Sequence, residues 1–459
     1  MASQRAARLT VPVRSRFPFG RSRRRTFHAI QSNGLRLREA NVYLRASRFS
    51  MVLAAILALA GCAGKPTGVL SPTAATAPGA AKVDLLVATT RSSQGATPGE
   101  MFSGERARGL AFADIAVSLP PGRQVGEVQW PDNLPGNPAT DFVALRADRL
   151  DGDAAVKLFN ARLAAAPRRN VLLFVHGYNT RFEEAVYRFA QIVHDSGADA
   201  TPVLFTWPSR GKLLAYSYDR ESANYSRDAL EAVFQAMAKH PRVGEISILA
   251  HSMGNWVTLE ALRQMAIRDK AIHPKIRNVM LAAPDVDFDV FRRQVAAMGE
   301  KRPNFTLFVS QDDDALKISS RVWGGEARLG MIDPKLEPFR TELEKARFNV
   351  VDLTDVKSSD RTNHGKFAQA PEVVQAIGRR LAAGQTLHDG AAGLGEKIGG
   401  AAAGAVSTVG KAAGLVISAP IAIIDPRTRA GLGDQVEDLG GQIGDTLRTA
   451  TGKTTVPAQ

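Results

Sequence analysis

The chain has 459 residues, too many for one small core, and suits a domain of about 300 residues with additional segments. Its formal net charge of +14 would point to nucleic acid or an anionic membrane. However, residues 1–50 hold twelve arginines and one acid, Glu39, so they carry +11 and leave only +3 for the rest of the chain. This distribution argues against nucleic-acid binding, and the single cysteine excludes an internal disulfide framework and a cysteine-based zinc site.

Residues 1–61 have the pattern of an Arg-rich leader that ends in a signal peptide. The apolar run from Met51 to Cys62 is too short to span a bilayer, and its end, Leu59-Ala60-Gly61-Cys62, resembles a bacterial lipobox. We therefore predict that Cys62 is lipidated and that the protein is secreted across the inner membrane and anchored in the cell envelope. Ala63 favours the outer membrane, facing the periplasm, if the cell is Gram-negative. The alternative is a signal peptide with an incidental cysteine.

Residues 62–81 are rich in Pro, Ala, Thr and Gly, and predict a flexible tether after the lipidated cysteine. Strand-like and helix-like segments then alternate over residues 82–384. The strand-like segments are continuous apolar runs, which indicates burial on both faces. The predicted fold class is therefore α/β, with a doubly wound, mostly parallel sheet.

The predicted elements follow one another along the domain. The strands are KVDLLVATTR, FADIAVSLP, VLLFVHG, TPVLFTWPSRG, EISILAHSMG, IRNVMLAAPD, NFTLFVSQDD and ARFNVVDL. The helices are RFEEAVYRFAQIVHD, SRDALEAVFQAMAKH, NWVTLEALRQMAI and the closing PEVVQAIGRRLAAG. Ligands bind at the carboxyl ends of such parallel strands, so the residues that follow each strand are the candidates for chemistry.

The strand VLLFVHG ends in His176-Gly177-Tyr178-Asn179. This ending resembles the oxyanion loop of a hydrolase, in which backbone N–H groups donate to the oxygen of the attacked carbonyl. Gly177 would permit close backbone approach, and the amide of Tyr178 would donate beside the amide of Met253. His176 is predicted to shape this loop and not to act as a base; alternatively it is only a turn residue. Thr180 and Glu183 have the spacing of a capping box for the helix that follows.

A serine stands between the strand EISILAH and the next helix, in Ala250-His251-Ser252-Met253-Gly254. A serine on a tight strand-to-helix turn projects its Oγ above the sheet, and the small residues Ala250 and Gly254 let strand and helix approach each other. Ser252 is therefore the predicted nucleophile; the alternative is a serine that only caps the helix.

A serine nucleophile needs a base and an acid. In the fold that carries its serine on such a strand-to-helix turn, the acid and then the histidine follow the serine in the chain. The acid candidates are Asp312, Asp313 and Asp314 after FTLFVS, and Asp285 after LAAP. Of the eight histidines, only His364 and His388 follow them, and His388 lies beyond the closing helix. His364 is the predicted general base; the alternative is a solvent-facing loop histidine.

Residues 385–459 shift in composition to Gly and Ala. Gly395 and Gly399, and Gly400 and Gly404, have the small-xxx-small spacing that lets helices pack closely in a membrane. A low-complexity tail is an equal alternative.

Several motifs in this order resemble the bacterial α/β-hydrolase family of unknown specific function, which is grouped with the esterase/lipase superfamily and includes lipoproteins. They are ATTR, FVHGYNTRFEEAVYRFAQ, FTWPSRG, YDRESANYSRDAL, LAHSMGN, LAAPDVDFDVF and VSQDDDALKISS. The resemblance implies an α/β-hydrolase fold and a Ser-Asp-His core, and its VSQDDDAL pattern favours Asp313 as the acid. It also brings forward Trp207, Arg210 and Tyr216 as residues that could line a pocket, although Trp207 could equally be core.

These residues predict a serine hydrolase that cleaves a lipid or other acyl ester, with no cofactor and no metal. Its predicted partners are the ester substrate and the membrane that its lipid anchor, and the tail, would contact. The alternatives are acyl transfer by the same residues, and a non-catalytic envelope protein that uses the hydrolase fold for binding.

Overall fold

The computed structural model describes residues 67–95, 99–322 and 325–382, which form one nine-stranded sheet with helices on both faces. The strands are β1 (Ala81–Ser93), β2 (Phe102–Leu119), β3 (Val143–Leu150), β4 (Val171–Val175), β5 (Thr201–Thr206), β6 (Ile246–His251), β7 (Ile276–Ala282), β8 (Asn304–Val309) and β9 (Asn349–Asp352). Their order is β3-β2-β1-β5-β4-β6-β7-β8-β9. All pairs from β1 to β9 along this order are parallel, whereas β2 and β3 join the β1 edge as antiparallel strands.

Helices cover both faces of the sheet. They are α1 (Gly152–Ala165), α2 (Phe182–Ser196), α3 (Tyr216–Lys239), α4 (Met253–Asp269), α5 (Phe288–Met298), α6 (Asp314–Val322), α7 (Phe339–Lys345), α8 (Lys366–Gln369) and α9 (Pro371–Ala382). One core contains α1, α3, α4 and α5, and the other contains α2 and α9. The predicted α/β class and doubly wound, mostly parallel sheet are confirmed.

The central strands are apolar throughout because successive side chains enter different cores. In β4, Leu173 and Val175 pack with the α3–α4 side, and Leu172 and Phe174 pack with the α2–α9 side. With both faces covered, only the ends of the strands remain available for polar chemistry. The carboxyl ends of β4, β6, β8 and β9 therefore carry the site described below.

Some local predictions differ from the structure. Helix α3 begins at Tyr216, ten residues before the predicted Ser226, because a 3-10 turn over Leu213–Ala215 leads directly into it. The predicted capping box is displaced by one residue. The carboxylate of Glu184, not Glu183, accepts the backbone N–H of Arg181 at 2.7 Å.

The prediction of a flexible tether over residues 62–81 is wrong for residues 69–73. Val69 and Leu70 are buried in the core, and the Tyr187 hydroxyl donates to the carbonyl of Val69 at 2.7 Å. Thr73 N donates to Ala144 O at 2.9 Å, so this segment is held along β3. Apolar burial together with backbone hydrogen bonds outweighs the loop-like composition.

The leader, the predicted lipidation site Cys62 and the tail over 385–459 lie outside the described residues. Within the described part of the chain, no helix combines the length and apolar character needed to span a bilayer.

Candidate active site

Ser252 lies in a strained turn between β6 and α4. Its φ of 52° and ψ of −124° are unfavourable for a residue with a Cβ, and the turn is held because Ser252 N donates to Ala282 O at 3.0 Å. Gly254 is required two residues later, since a Cβ there would lie 2.3 Å from the carbonyl oxygen of His176. The sequence pattern thus has a direct steric cause: the start of α4 is pressed against the end of β4.

The loop after β4 packs directly on Ser252. A Cβ on Gly177 would lie 2.8 Å from the Cβ of Ser252, so only glycine lets this loop approach so closely. Met253 is the first residue of α4, and its N–H has no acceptor within the helix. The structure therefore brings the loop that contains Tyr178 and the amide of Met253 to the two sides of the serine.

His176 is buried beneath this loop and stacks on Trp207 with ring centroids 4.9 Å apart. The N–H of Trp207 donates to His176 Nε2 at 3.1 Å, which assigns the ring proton to Nδ1, 2.8 Å from Gly177 O. Burial, and then the charge of Arg91, hold the pKa of His176 well below its usual value. The ring of His176 is therefore neutral and enclosed beneath the loop.

Asp313 and His364 meet although they are 51 positions apart in the sequence. His364 Nδ1 lies 2.7 Å from Asp313 Oδ2, and the other oxygen of Asp313 accepts the N–H of Leu316 at 2.9 Å. The Asp313 side chain is fully buried and that of His364 is 16% exposed. Burial lowers the pKa of His364, but the charge and hydrogen bond of Asp313 raise it by more, so the net pKa lies above its usual value.

An ion pair joins the loop that carries His364 to the loop that carries Asp313. Lys366 Nζ donates to both carboxylate oxygens of Asp312, at 2.8 and 2.9 Å, and to the carbonyls of Leu353 and Thr354, both at 2.9 Å. Asp314 N also donates to Thr362 O at 3.0 Å. The residues just before and just after Asp313 are therefore bonded to residues on either side of His364, and these bonds hold the His364–Asp313 pair in place.

Asp285, the other candidate acid, has different partners. It accepts hydrogen bonds from the hydroxyls of Tyr216 at 2.5 Å and Ser319 at 2.6 Å, and lies 3.6 Å from Nε of the buried Arg328. Its backbone N–H donates to Ser252 O at 3.3 Å. Asp285 therefore supports the turn of Ser252 through its backbone, while its carboxylate belongs to a cluster without histidine.

The sequence matches the model of a known family. The family described as "Alpha/beta hydrolase of unknown function (DUF900)" matches residues 151–380, half of the chain. The chain belongs to this family. The resemblance drawn from the sequence motifs to a family of α/β-hydrolase fold is thereby confirmed.

Individual relatives are distant. An uncharacterized protein of Nostoc sp., alr1448, is 26% identical over 155 residues, and the match covers 28% of this chain and 40% of that protein. The chain thus spans about two fifths of the length of this curated relative. A fungal esterase from Rhizomucor miehei has a TM-score of 0.30 at 13% identity, covering 68% of this chain and 84% of its own. A siderophore hydrolase from Aspergillus nidulans has a TM-score of 0.31 at 14% identity, covering 68% and 96%.

The three predicted pocket residues lie in different surroundings. Trp207 is fully buried and donates through Nε1 to His176 O at 2.8 Å, so it supports the loop and offers no surface to a substrate. Arg210 is exposed, where its guanidinium pairs with Glu105 at 3.0 Å and lies over the ring of Tyr218. Only Tyr216 lies beside the site, with its ring centroid 5.0 Å from that of Tyr178. Burial, and then Asp285, raise the pKa of Tyr216 to about 12, so it stays a phenol.

The sequence analysis gives Arg91 no role, yet its buried guanidinium joins the end of β5 and the loop after it to the loop after β4. It donates to Thr206 Oγ1 at 2.7 Å, to Ser209 O at 2.8 Å and to Thr180 O at 2.8 Å. Burial lowers its pKa to about 10, against the raising effect of Glu183 and Asp219. The signal that could have revealed this role is the arginine that ends the ATTR motif, three residues after the apolar run Leu85–Ala88 of β1.

His251 lies between the turn of Ser252 and the loop of His364. Its Nε2 is 3.2 Å from the carbonyl oxygen of His364, and the two ring centroids are 4.7 Å apart. Burial, and then His364, hold the pKa of His251 well below its usual value, so the ring is neutral. No cluster of three or more metal-ligating side chains occurs among residues 67–95, 99–322 and 325–382.

Proposed function

We propose that the protein is a serine hydrolase that cleaves a carboxylic ester through an acyl-enzyme intermediate. The observation that supports this most is the 2.7 Å contact between His364 and the buried Asp313. The two residues lie on the loops that follow β9 and β8, at the carboxyl end of the sheet, where Ser252 also lies. A buried carboxylate that accepts the Nδ1–H of an imidazole fixes the tautomer of the histidine. Nε2 then remains as the basic nitrogen.

In the first half of the reaction, His364 Nε2 takes the proton of Ser252 as Oγ attacks the carbonyl carbon. The amides of Tyr178 and Met253 donate to the oxyanion that forms, and loss of one such donor typically costs about 2.7–4 kcal/mol. His364 then gives its proton to the leaving alcohol as the C–O bond breaks. Water repeats the sequence in the second half, and the carboxylic acid leaves Ser252 free.

A screen of p-nitrophenyl esters over acyl lengths from two to sixteen carbons tests this proposal. We expect turnover of at least one ester and its loss in Ser252→Ala. The matched control is Ser247→Ala, which changes a serine within β6, the strand before the turn of Ser252. Turnover that survives in Ser252→Ala would contradict the proposed nucleophile. Release of the acid, and not transfer of the acyl group to an added alcohol, separates hydrolysis from acyl transfer.

We also propose that Cys62 carries a lipid anchor that holds this hydrolase in the cell envelope, on the basis of its lipobox-like context. Metabolic labelling with palmitate is expected to mark the wild type and not Cys62→Ser. Incorporation of the label into Cys62→Ser would contradict the assignment.

A further inference from the structure

A cavity of about 330 Å³ lies beside the proposed catalytic residues. It is bounded by Gly177 of the loop after β4, by the first turns of α2, and by the loop that carries His364. Gly177 is also the residue that packs on Ser252. The volume lies at the lower end of the range found for small-molecule sites. The cavity therefore reaches the reaction centre from the side of the histidine.

The position of His364 decides which part of an ester this cavity receives. In the proposed reaction, His364 must deliver its proton to the oxygen of the leaving alcohol, so the alcohol lies on the histidine's side of the ester. Because His364 forms part of the cavity wall, we infer that the group attached to that oxygen extends into the cavity.

The walls of the cavity are mixed in polarity. Phe174, Ala185 and Phe367 form a buried apolar floor, whereas Glu184, Arg188 and Asp360 bring charges to the half-buried wall. An alkyl chain laid against these charges would remove their water without replacing its hydrogen bonds, which is costly. The charged wall thus disfavours an apolar occupant.

The polar groups offer both donors and acceptors. Arg188 uses Nη1 for Gly126 O at 3.0 Å and Gln191 Oε1 at 2.8 Å, and its Nε and Nη2 bond to no residue in the described part of the chain. With Nε2 directed to the carbonyl of His364, neutral His251 keeps Nδ1 as an acceptor. Asp360 accepts from Thr362 and Gly365 and has further lone pairs.

Hydroxyl groups match this wall, because each can donate to a carboxylate or imidazole and accept from a guanidinium. Two carboxylates against one guanidinium also disfavour an anionic group such as a phosphate. We propose that the cavity binds the alcohol portion of the ester and that this alcohol is a polyol or a sugar. This inference rests on the proposed ester hydrolysis and names the class of its leaving group.

The first test compares esters of one acyl group on the wild-type protein. We expect kcat/KM for glycerol monoacetate or monoacetylated glucose to exceed that for hexyl acetate by roughly tenfold or more, since a site built for hydroxyls rejects an analogue without them. Equal values, or a preference for hexyl acetate, would overturn the inference.

The second test fills the cavity from its rim. Val128→Trp places a large ring at the half-buried edge, and the matched control Val156→Trp lies at the mouth of a separate apolar cavity between α1 and α3. Fluorophosphonate titration counts the competent serine in each variant, because its leaving group is fluoride and needs no room in the cavity. Per competent site, we expect hydrolysis of the sugar ester to fall about tenfold or more in Val128→Trp and to stay unchanged in Val156→Trp.

The outcomes separate the two proposals. Full hydrolysis of the sugar ester by titrated Val128→Trp would overturn the assignment of the cavity while ester hydrolysis stands. Failure of the wild type to react with the fluorophosphonate and with every ester would overturn the proposed function, and this inference with it.

Discussion

Asp285 and Asp313 are two buried aspartates that follow neighbouring parallel strands, β7 and β8, yet their surroundings differ completely. Asp313 meets an imidazole at 2.7 Å, whereas Asp285 meets two hydroxyls and a guanidinium. Neither burial nor position after a strand distinguishes them. The difference shows that the role of such a carboxylate is set by the partner that a distant segment of the chain brings to it.

Removal of the partner of each carboxylate gives the largest expected contrast. His364→Ala takes away the proposed base and is expected to reduce kcat by on the order of 10⁶-fold. Tyr216→Phe removes only a hydroxyl from Asp285, which keeps Ser319 and Arg328, so we expect a change of less than about tenfold. Steady-state kinetics on one ester measure both, and a greater loss in Tyr216→Phe would reverse the comparison.

Substitution of the carboxylates themselves is the next contrast. Asp313→Asn leaves the shape but offers the histidine the wrong tautomer, and an equivalent change in a serine protease lowers kcat about 10⁴-fold. For Asp285→Asn we expect a loss within about tenfold. Full activity in Asp313→Asn together with collapse in Asp285→Asn would assign the acid to Asp285.

The pH dependence of kcat/KM sharpens the electrostatic side of the comparison. His364 acts as a base only when neutral, and its pKa lies above the usual 6.5, so activity is expected to fall as the pH drops through a value above 6.5. In the residual activity of Asp313→Asn, the pH at which kcat/KM falls should move down by about 1 unit or more, because the negative charge that raises the pKa of His364 is gone. If kcat/KM of Asp313→Asn falls at the same pH as that of the wild type, a group other than His364 controls the pH dependence.

Stability gives the smallest contrast. Lys366→Met leaves the carbonyls of Leu353 and Thr354 and the carboxylate of Asp312 without their donor, and we expect the free energy of unfolding to fall by about 2–3 kcal/mol. Arg328→Met should lower the free energy of unfolding by less. The Nε of Arg328 forms no hydrogen bond within the described residues, and Asp285 retains two hydroxyl donors. Urea unfolding measures both; a larger loss in Arg328→Met would show that the Asp285 cluster is the more important support.

The sequence predicts the sheet and the strand-to-helix turn of Ser252 well because both depend on local pattern. A strand that lies between two cores has a continuous apolar sequence, which predicts burial. A Cβ at position 177 or 254 would clash with neighbouring atoms, so both positions are glycine. The choice of His364 also follows from local context and chain order. These features need no knowledge of distant contacts.

Other features depend on contacts that the local pattern does not contain. Trp207 becomes core, and not pocket, only because His176 stacks on it and the loop after β4 closes over it. The roles of Arg91 and Lys366 arise from carbonyls that several loops direct toward one cation. The early start of α3 likewise follows from the turn that precedes it and not from its apolar stripe.

Intact-mass measurement after reaction with a fluorophosphonate tests the catalytic role of Ser252, His364 and Asp313 most directly. The wild type is expected to gain the mass of one phosphonyl group, and peptide mapping is expected to place it on Ser252. Ser252→Ala should gain nothing and His364→Ala almost nothing, whereas Asp285→Asn should still be labelled. A label on a serine other than Ser252, or full labelling of His364→Ala, would contradict the account.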